Sequence, residues 1–271
     1  MEYPDGFAEL VKMANKSPLK QAKSKEIWEK FCDSALIGKD RGAPQIEFLK
    51  NFLKEQLDYD FVKKSNEFSW HEHAQEFLKE RLEKIRDEES RQIISGVLRD
   101  LTYIVSTIKQ GADFFEKRNL LKDPKAIDGK EQEIINAIVK EREITGMGFV
   151  KTILWLQNCG FAKDMAPPTK HLKAFLNNDV GPYYQYYEDD DYFMKRAQEM
   201  AKDFGKASLS DIYRAVFFFR IFKSAMPRGS KFTPKKLLSF LKKKKISLDK
   251  LQEMLKDRDK MDSLMEEIMV R

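Results

Sequence analysis

The sequence predicts an all-α protein, and three observations carry that prediction. Apolar residues recur at helical spacing in segment after segment. Gly and Pro are sparse, 12 and 9 of 271 residues, too few for the turns of an all-β fold. The chain is rich in core-forming aromatics, with 20 Phe, 9 Tyr and 3 Trp, so it folds.

In chain order, Ser24–Ile37 reads as a Ser-capped helix with Ile27, Trp28, Phe31, Ala35 and Leu36 on its apolar face. Gly38-Lys39-Asp40-Arg41-Gly42-Ala43-Pro44 breaks it, and Ile46, Leu49, Phe52, Leu53 and Leu57 mark the next helix. A charged helix is expected at Glu72–Asp87 and a more apolar one at Ser90–Gln110. The stretch 121–129 reads as a turn-rich connector. Ile134, Ile135, Ile138 and Val139 make a helix that ends before Ile144-Thr145-Gly146-Met147-Gly148, and Phe149–Cys159 forms another. After Pro167-Pro168, Thr169 stands where a helix N-cap belongs, ahead of Lys170, His171 and Leu172. Ser208–Ser224 is expected to be the most buried helix, and Ser247–Val270 the last.

Composition narrows the function. No run approaches a membrane span, and the first residues do not read as a signal peptide, so a cytoplasmic protein is expected. Cys32 and Cys159 are too few for a disulfide framework or a four-cysteine metal cluster, and they read as core thiols. The net charge of +6 is concentrated: residues 227–245 hold eight Lys/Arg and no acid. That run suits a polyanion and equally suits a solvated helix end. His71 and His73 lie two apart and point to different faces of a helix, which argues against a shared metal. No cofactor is expected. Asp189-Asp190-Asp191 lacks the spacing of a calcium loop. Tyr183, Tyr184, Tyr186 and Tyr187 could stack a base or simply pack.

Gly146 and Gly148, in an abrupt turn between two helices, let the backbone approach a partner closely, and amides at the start of the following helix suit a phosphate. Lys151 and Lys170 would add backbone contacts. The plainer reading is a tight helix–helix turn flanked by surface lysines.

The stretch 144–181, about 40 residues, resembles the core of the helix-hairpin-helix DNA glycosylase superfamily. Gly146 and Gly148 match the hairpin glycines, Pro167 the proline of the Pro-x-Asp-x-His segment, His171 its histidine, and Val180-Gly181 the close. The resemblance implies a two-lobed helix-hairpin-helix glycosylase-like fold. It would be one helical unit over 1–271, with the hairpin and following capped helix at 130–181 and helices carrying the basic stretch at 182–271. It also implies Gly146, Met147, Gly148, Lys151, Lys170 and His171 as DNA-binding residues.

The departures are specific. The family's catalytic aspartate falls on Thr169, and the lysine nucleophile of bifunctional members falls on Val150. Asp164, or Asp40 in the loop expected to face the base pocket, would then have to supply the carboxylate, leaving Asp164, Asp40 and Thr169 as the catalytic candidates. The altered motif is similar to the alpha-glutamyl/putrescinyl thymine pyrophosphorylase-like branch, which includes antiviral glycosylases acting on hypermodified phage DNA. Three functions follow as expectations. One is a glycosylase excising a modified base flipped from duplex DNA, acting as a monomer in phage defence. Another is a transferase adding an amine or amino acid to a modified thymine. The last is a non-catalytic DNA-binding module.

Overall fold

The computed structural model describes residues 3–38, 43–176, 190–205, 207–227 and 230–269. Among these residues the fold is all-helical, and no helix is long and apolar enough to cross a membrane. The chain divides into two compact units. One joins 1–20 to 162–271, and the other is 21–161. The series 144–181 is therefore shared between them, with the hairpin in the second unit and Asp164, Thr169, Lys170 and His171 in the first.

The 21–161 unit begins with α2 (Ser24–Leu36), since α1 (Phe7–Asn15) belongs to the other unit. The start of α2 is held by Lys23 N–H donating to Glu26 Oε2 at 2.7 Å, so Lys23 and not Ser24 is the cap residue. After α3 (Ala43–Phe52), Asp58 caps α4 (Tyr59–Lys64), Asn66 caps α5 (Glu67–Lys84), and Asp87 caps the 30-residue α6 (Glu88–Lys117). These caps move the predicted starts of α5 and α6 toward the N-terminus. A 3₁₀ turn (Pro124–Ile127), α7 (Glu131–Ile135), a π-turn (Asn136–Lys140) and α8 (Phe149–Asn158) complete the unit.

Its core is aromatic. Phe31 lies 5.2 Å from Phe115 and 5.6 Å from Trp155, ring to ring, and both Phe31 pairs are edge-on. Two of the three indole N–H groups are satisfied by backbone carbonyls, Trp28 donating to Leu57 O at 2.8 Å and Trp155 to Ile27 O at 3.2 Å, whereas that of buried Trp70 meets no acceptor among the described residues. Gly111 on α6 makes room for Phe31, because a Cβ there would sit 2.2 Å from the ring. Long α6 is thereby pinned against α2. Cys32 and Cys159 are buried, and burial pushes the Cys159 thiol up to about 12, so both are inert core thiols as expected.

The other unit holds α1 (Phe7–Asn15), α9 (Lys170–Leu176), α10 (Asp190–Lys202), α11 (Leu209–Ala225), α12 (Pro234–Lys244), α13 (Leu248–Met254) and α14 (Arg258–Met269). Apolar spacing alone does not reveal α10, whose neighbours are charged, or α1, which is short. Yet Phe7, Leu10, Val11 and Ala14 bury one face of α1. Helix α11 is deeply buried, as predicted, and starts with a reciprocal Ser208–Asp211 cap. Within it Arg214, 5% exposed, donates to Ser17 O and pairs with Asp249 at 2.9 Å. The single helix expected over 247–270 is two, because the chain turns at 255–257 and Asp257 restarts it by accepting from Lys260 N–H at 3.2 Å. The basic run largely becomes α12, which buries Leu237, Leu238, Phe240 and Leu241 while its lysines stay exposed. Two of those lysines are already paired, Lys235 with Asp5 and Lys244 with Glu267.

Candidate functional site

The predicted site residues fall into two places, each described within its own unit. The first is the turn between the π-turn and α8. Its approach is anchored on α6 at three points. Glu143 pairs bidentately with Arg118 at 2.7 and 2.8 Å. Thr145 N–H donates to Gln110 Oε1 at 2.6 Å. The Thr107 hydroxyl lies 2.7 Å from Thr145 O and also 2.7 Å from Tyr103 O, with one proton to share. These contacts hold both backbone polar groups of the residue before Gly146. Arg118, helped by Lys117, draws the Glu143 carboxyl down to about 2. A carboxyl depressed in this way stabilises the fold fully above its ordinary pKa near 4.5, and that support is lost as the pH falls toward 2.

The two glycines differ. Gly146 has φ +85°, and a Cβ there would meet Thr107 Oγ1 at 2.3 Å, so the fold itself requires glycine. Gly148 has φ −72° and ψ 174°, is exposed, and a Cβ there would meet open space. Among the described residues no steric contact requires glycine at 148, although glycine is favoured over alanine at an N-cap. It is the N-cap of the ten-residue α8, and no side-chain hydrogen bond caps that helix, whose first amides have no partner within the helix itself. Met147 is 2% exposed and packs inward, so only its backbone is available to a partner. Lys151, one turn into α8, reaches Ala35 O at 3.3 Å.

Beside the turn lies a cleft of about 390 Å³, lined by Ile37 and Gly38 after α2, by Arg99, Asp100, Thr102, Tyr103 and Thr107 of α6, and by Gly146 and Lys151. Tyr103 is 65% exposed although aromatic, and its ring edge would touch a Cβ on Gly146 at 3.4 Å. Arg99, Tyr103, Thr107 and Gln110 were not found by sequence reasoning. They sit at i, i+4, i+8 and i+11 of one α6 face, but the polarity of that face marks it only as solvent-exposed until the turn is laid against it.

The second place is around α9. Thr169 is its cap: Leu172 N–H lies 3.5 Å from Thr169 Oγ1. The same Thr169 side chain hydrogen-bonds the buried Tyr213 hydroxyl, and burial pushes that phenol up to about 12. His171 packs edge-on against Phe217 at 5.4 Å. Burial, with Lys170 and Arg220 nearby, lowers the His171 imidazole to about 4, so it is neutral at pH 7. Lys170 is exposed. Asp164 is exposed in the preceding turn, whose Lys163 O accepts from Ser210 N–H at 2.9 Å. Where the resemblance places an aspartate, this chain has Thr169 bonded to a neutral phenol beside a neutral imidazole.

Asp40, Val180, Gly181, the tyrosines at 183–187 and Asp189 lie outside the described residues. Among the described residues no three His, Cys, Asp or Glu side chains come together as a metal site. No family model, curated protein or solved structure matches the chain.

Proposed function

We propose that this protein grips a DNA backbone through the 144–151 turn and acts on a base of that strand, as a glycosylase excising a modified base. The observation that carries the reading is the contrast at the turn. Gly146 is glycine because the fold leaves no room for a Cβ, whereas no described residue would meet a Cβ at Gly148, which starts α8 without a side-chain cap beside Lys151. A backbone that approaches a phosphate closely accounts for it, with the first amides of α8 donating and Lys151 adding charge. The chemistry would follow extrusion of the base, with Asp164 or Asp40 stabilising the positive charge that develops on the sugar.

A second reading is favoured by one specific observation. The Thr169–Tyr213 pair puts uncharged groups where the family has its carboxylate, and group transfer onto a base substituent needs no sugar-stabilising anion. One experiment separates the readings: mass spectrometry of small molecules released from DNAs carrying ordinary, oxidised, alkylated and hypermodified bases. A free base with a matching abasic site supports the glycosylase, and loss of release in Asp164→Asn or Asp40→Asn assigns the carboxylate. Full release with both carboxylates replaced sinks that assignment. No release, but a mass gain on DNA when amines are supplied, supports transfer. Salt-dependent binding with no change in DNA mass leaves a binding module.

A further inference from the structure

The cleft beside the turn has a composition that backbone gripping alone does not use. A phosphate-binding turn needs amides and a cation, yet α6 adds an aromatic ring that stands 65% exposed at its edge. Arg99, with a side chain 74% exposed, lies one helical turn from Tyr103, and Lys151 also lines the cleft. Among the described residues Asp100 is the one carboxylate in the lining, and its oxygen is 3.7 Å from Arg99 Nε. At about 390 Å³ the cleft lies within the range, roughly 300 to 1,000 Å³, of small-molecule sites.

From these groups we infer that the cleft receives an unpaired nucleotide of the strand held by the turn. Its base stacks on Tyr103, and its phosphate is met by Arg99 and Lys151. The inference rests on the reading of the turn as a DNA grip. A base inside a duplex has both faces covered, so an exposed phenol ring has nothing to stack on there. A nucleotide at a single-stranded overhang has a free face. The position fits, because Tyr103 abuts Gly146 and so lies directly beside the proposed backbone contact. Tyr103 also belongs to the helix whose Thr107 and Gln110 fix Thr145, so the ring is held by the same support that shapes the turn.

The test uses the full chain and fluorescence anisotropy on a blunt duplex and on the same duplex carrying a short single-stranded overhang. The wild type should bind the overhang DNA more tightly than the blunt. Tyr103→Ala should lose that advantage, a loss of about tenfold on overhang DNA, with blunt binding unchanged. Tyr103→Phe should keep it, and Arg99→Gln should lower the salt slope on overhang DNA by about one. Circular dichroism checks the folding of each variant. If the wild type binds both DNAs equally, or Tyr103→Ala keeps the overhang advantage, the cleft assignment is overturned while the turn's grip stands. If the wild type binds neither DNA, both readings fall.

Discussion

At the 144–151 turn, side chains of α6 hold the N–H and C=O of Thr145, and α8 begins at Gly148 with no side-chain cap. Around Thr169 the polar groups satisfy one another: hydroxyl to phenol, with an imidazole held neutral against Phe217. The first region would suit an anion, and the second carries no charge where the resemblance would place an aspartate. The difference teaches that a backbone grip and the charge a reaction would need are separate questions in this chain. The turn carries the DNA proposal, and the α9 cluster decides which reaction, if any, follows.

The largest effect expected from breaking this contrast is at His171. Its folded pKa of about 4 lies below its ordinary 6.5, so between those values the unfolded chain holds a proton that the folded chain does not. Stability therefore falls as the pH drops from 6.5 to 4, by on the order of 3 kcal/mol from this group. Chemical denaturation of wild type and His171→Gln at pH 7 and pH 4.5 should show a smaller pH-dependent loss in the variant. Equal losses would mean that the imidazole is not buried in its neutral form.

Next comes Gly146→Ala, where a left-handed φ and the collision with Thr107 should cost about 1–3 kcal/mol, read as a lower denaturation midpoint. A smaller effect, about 1 kcal/mol, is expected from Tyr213→Phe, which removes the hydrogen bond to Thr169. If Tyr213→Phe is neutral in stability but abolishes a measured activity, Tyr213 is part of the chemistry and the cluster is not merely structural.

Much of the helical framework was legible because its signals are local. The apolar periodicity of 24–37, 149–159 and 208–224 gave α2, α8 and α11 to within a residue or so at each end. The split at 255–257 left only an Asp cap as its trace, and α1 is too short for periodicity to stand out. The site was legible where it is made of backbone: the glycines and Thr169 announce themselves by spacing. It was not legible where it depends on distant partners. Thr107 and Gln110 reach Thr145 across 38 and 35 residues, and Tyr213 meets Thr169 from another helix. Nor does sequence distinguish Gly146 from Gly148. That difference lies in whether Thr107 or open space faces the missing Cβ.

The most direct test of the central claim is Gly148→Ala, followed by thermal melting and by salt-dependent anisotropy on duplex DNA. The melting temperature should fall only by what exchanging glycine for alanine at an N-cap costs, about 1 kcal/mol, since no described residue meets the added methyl, while duplex affinity falls at least tenfold. Unchanged affinity would contradict this, and would leave the turn as a helix connection only.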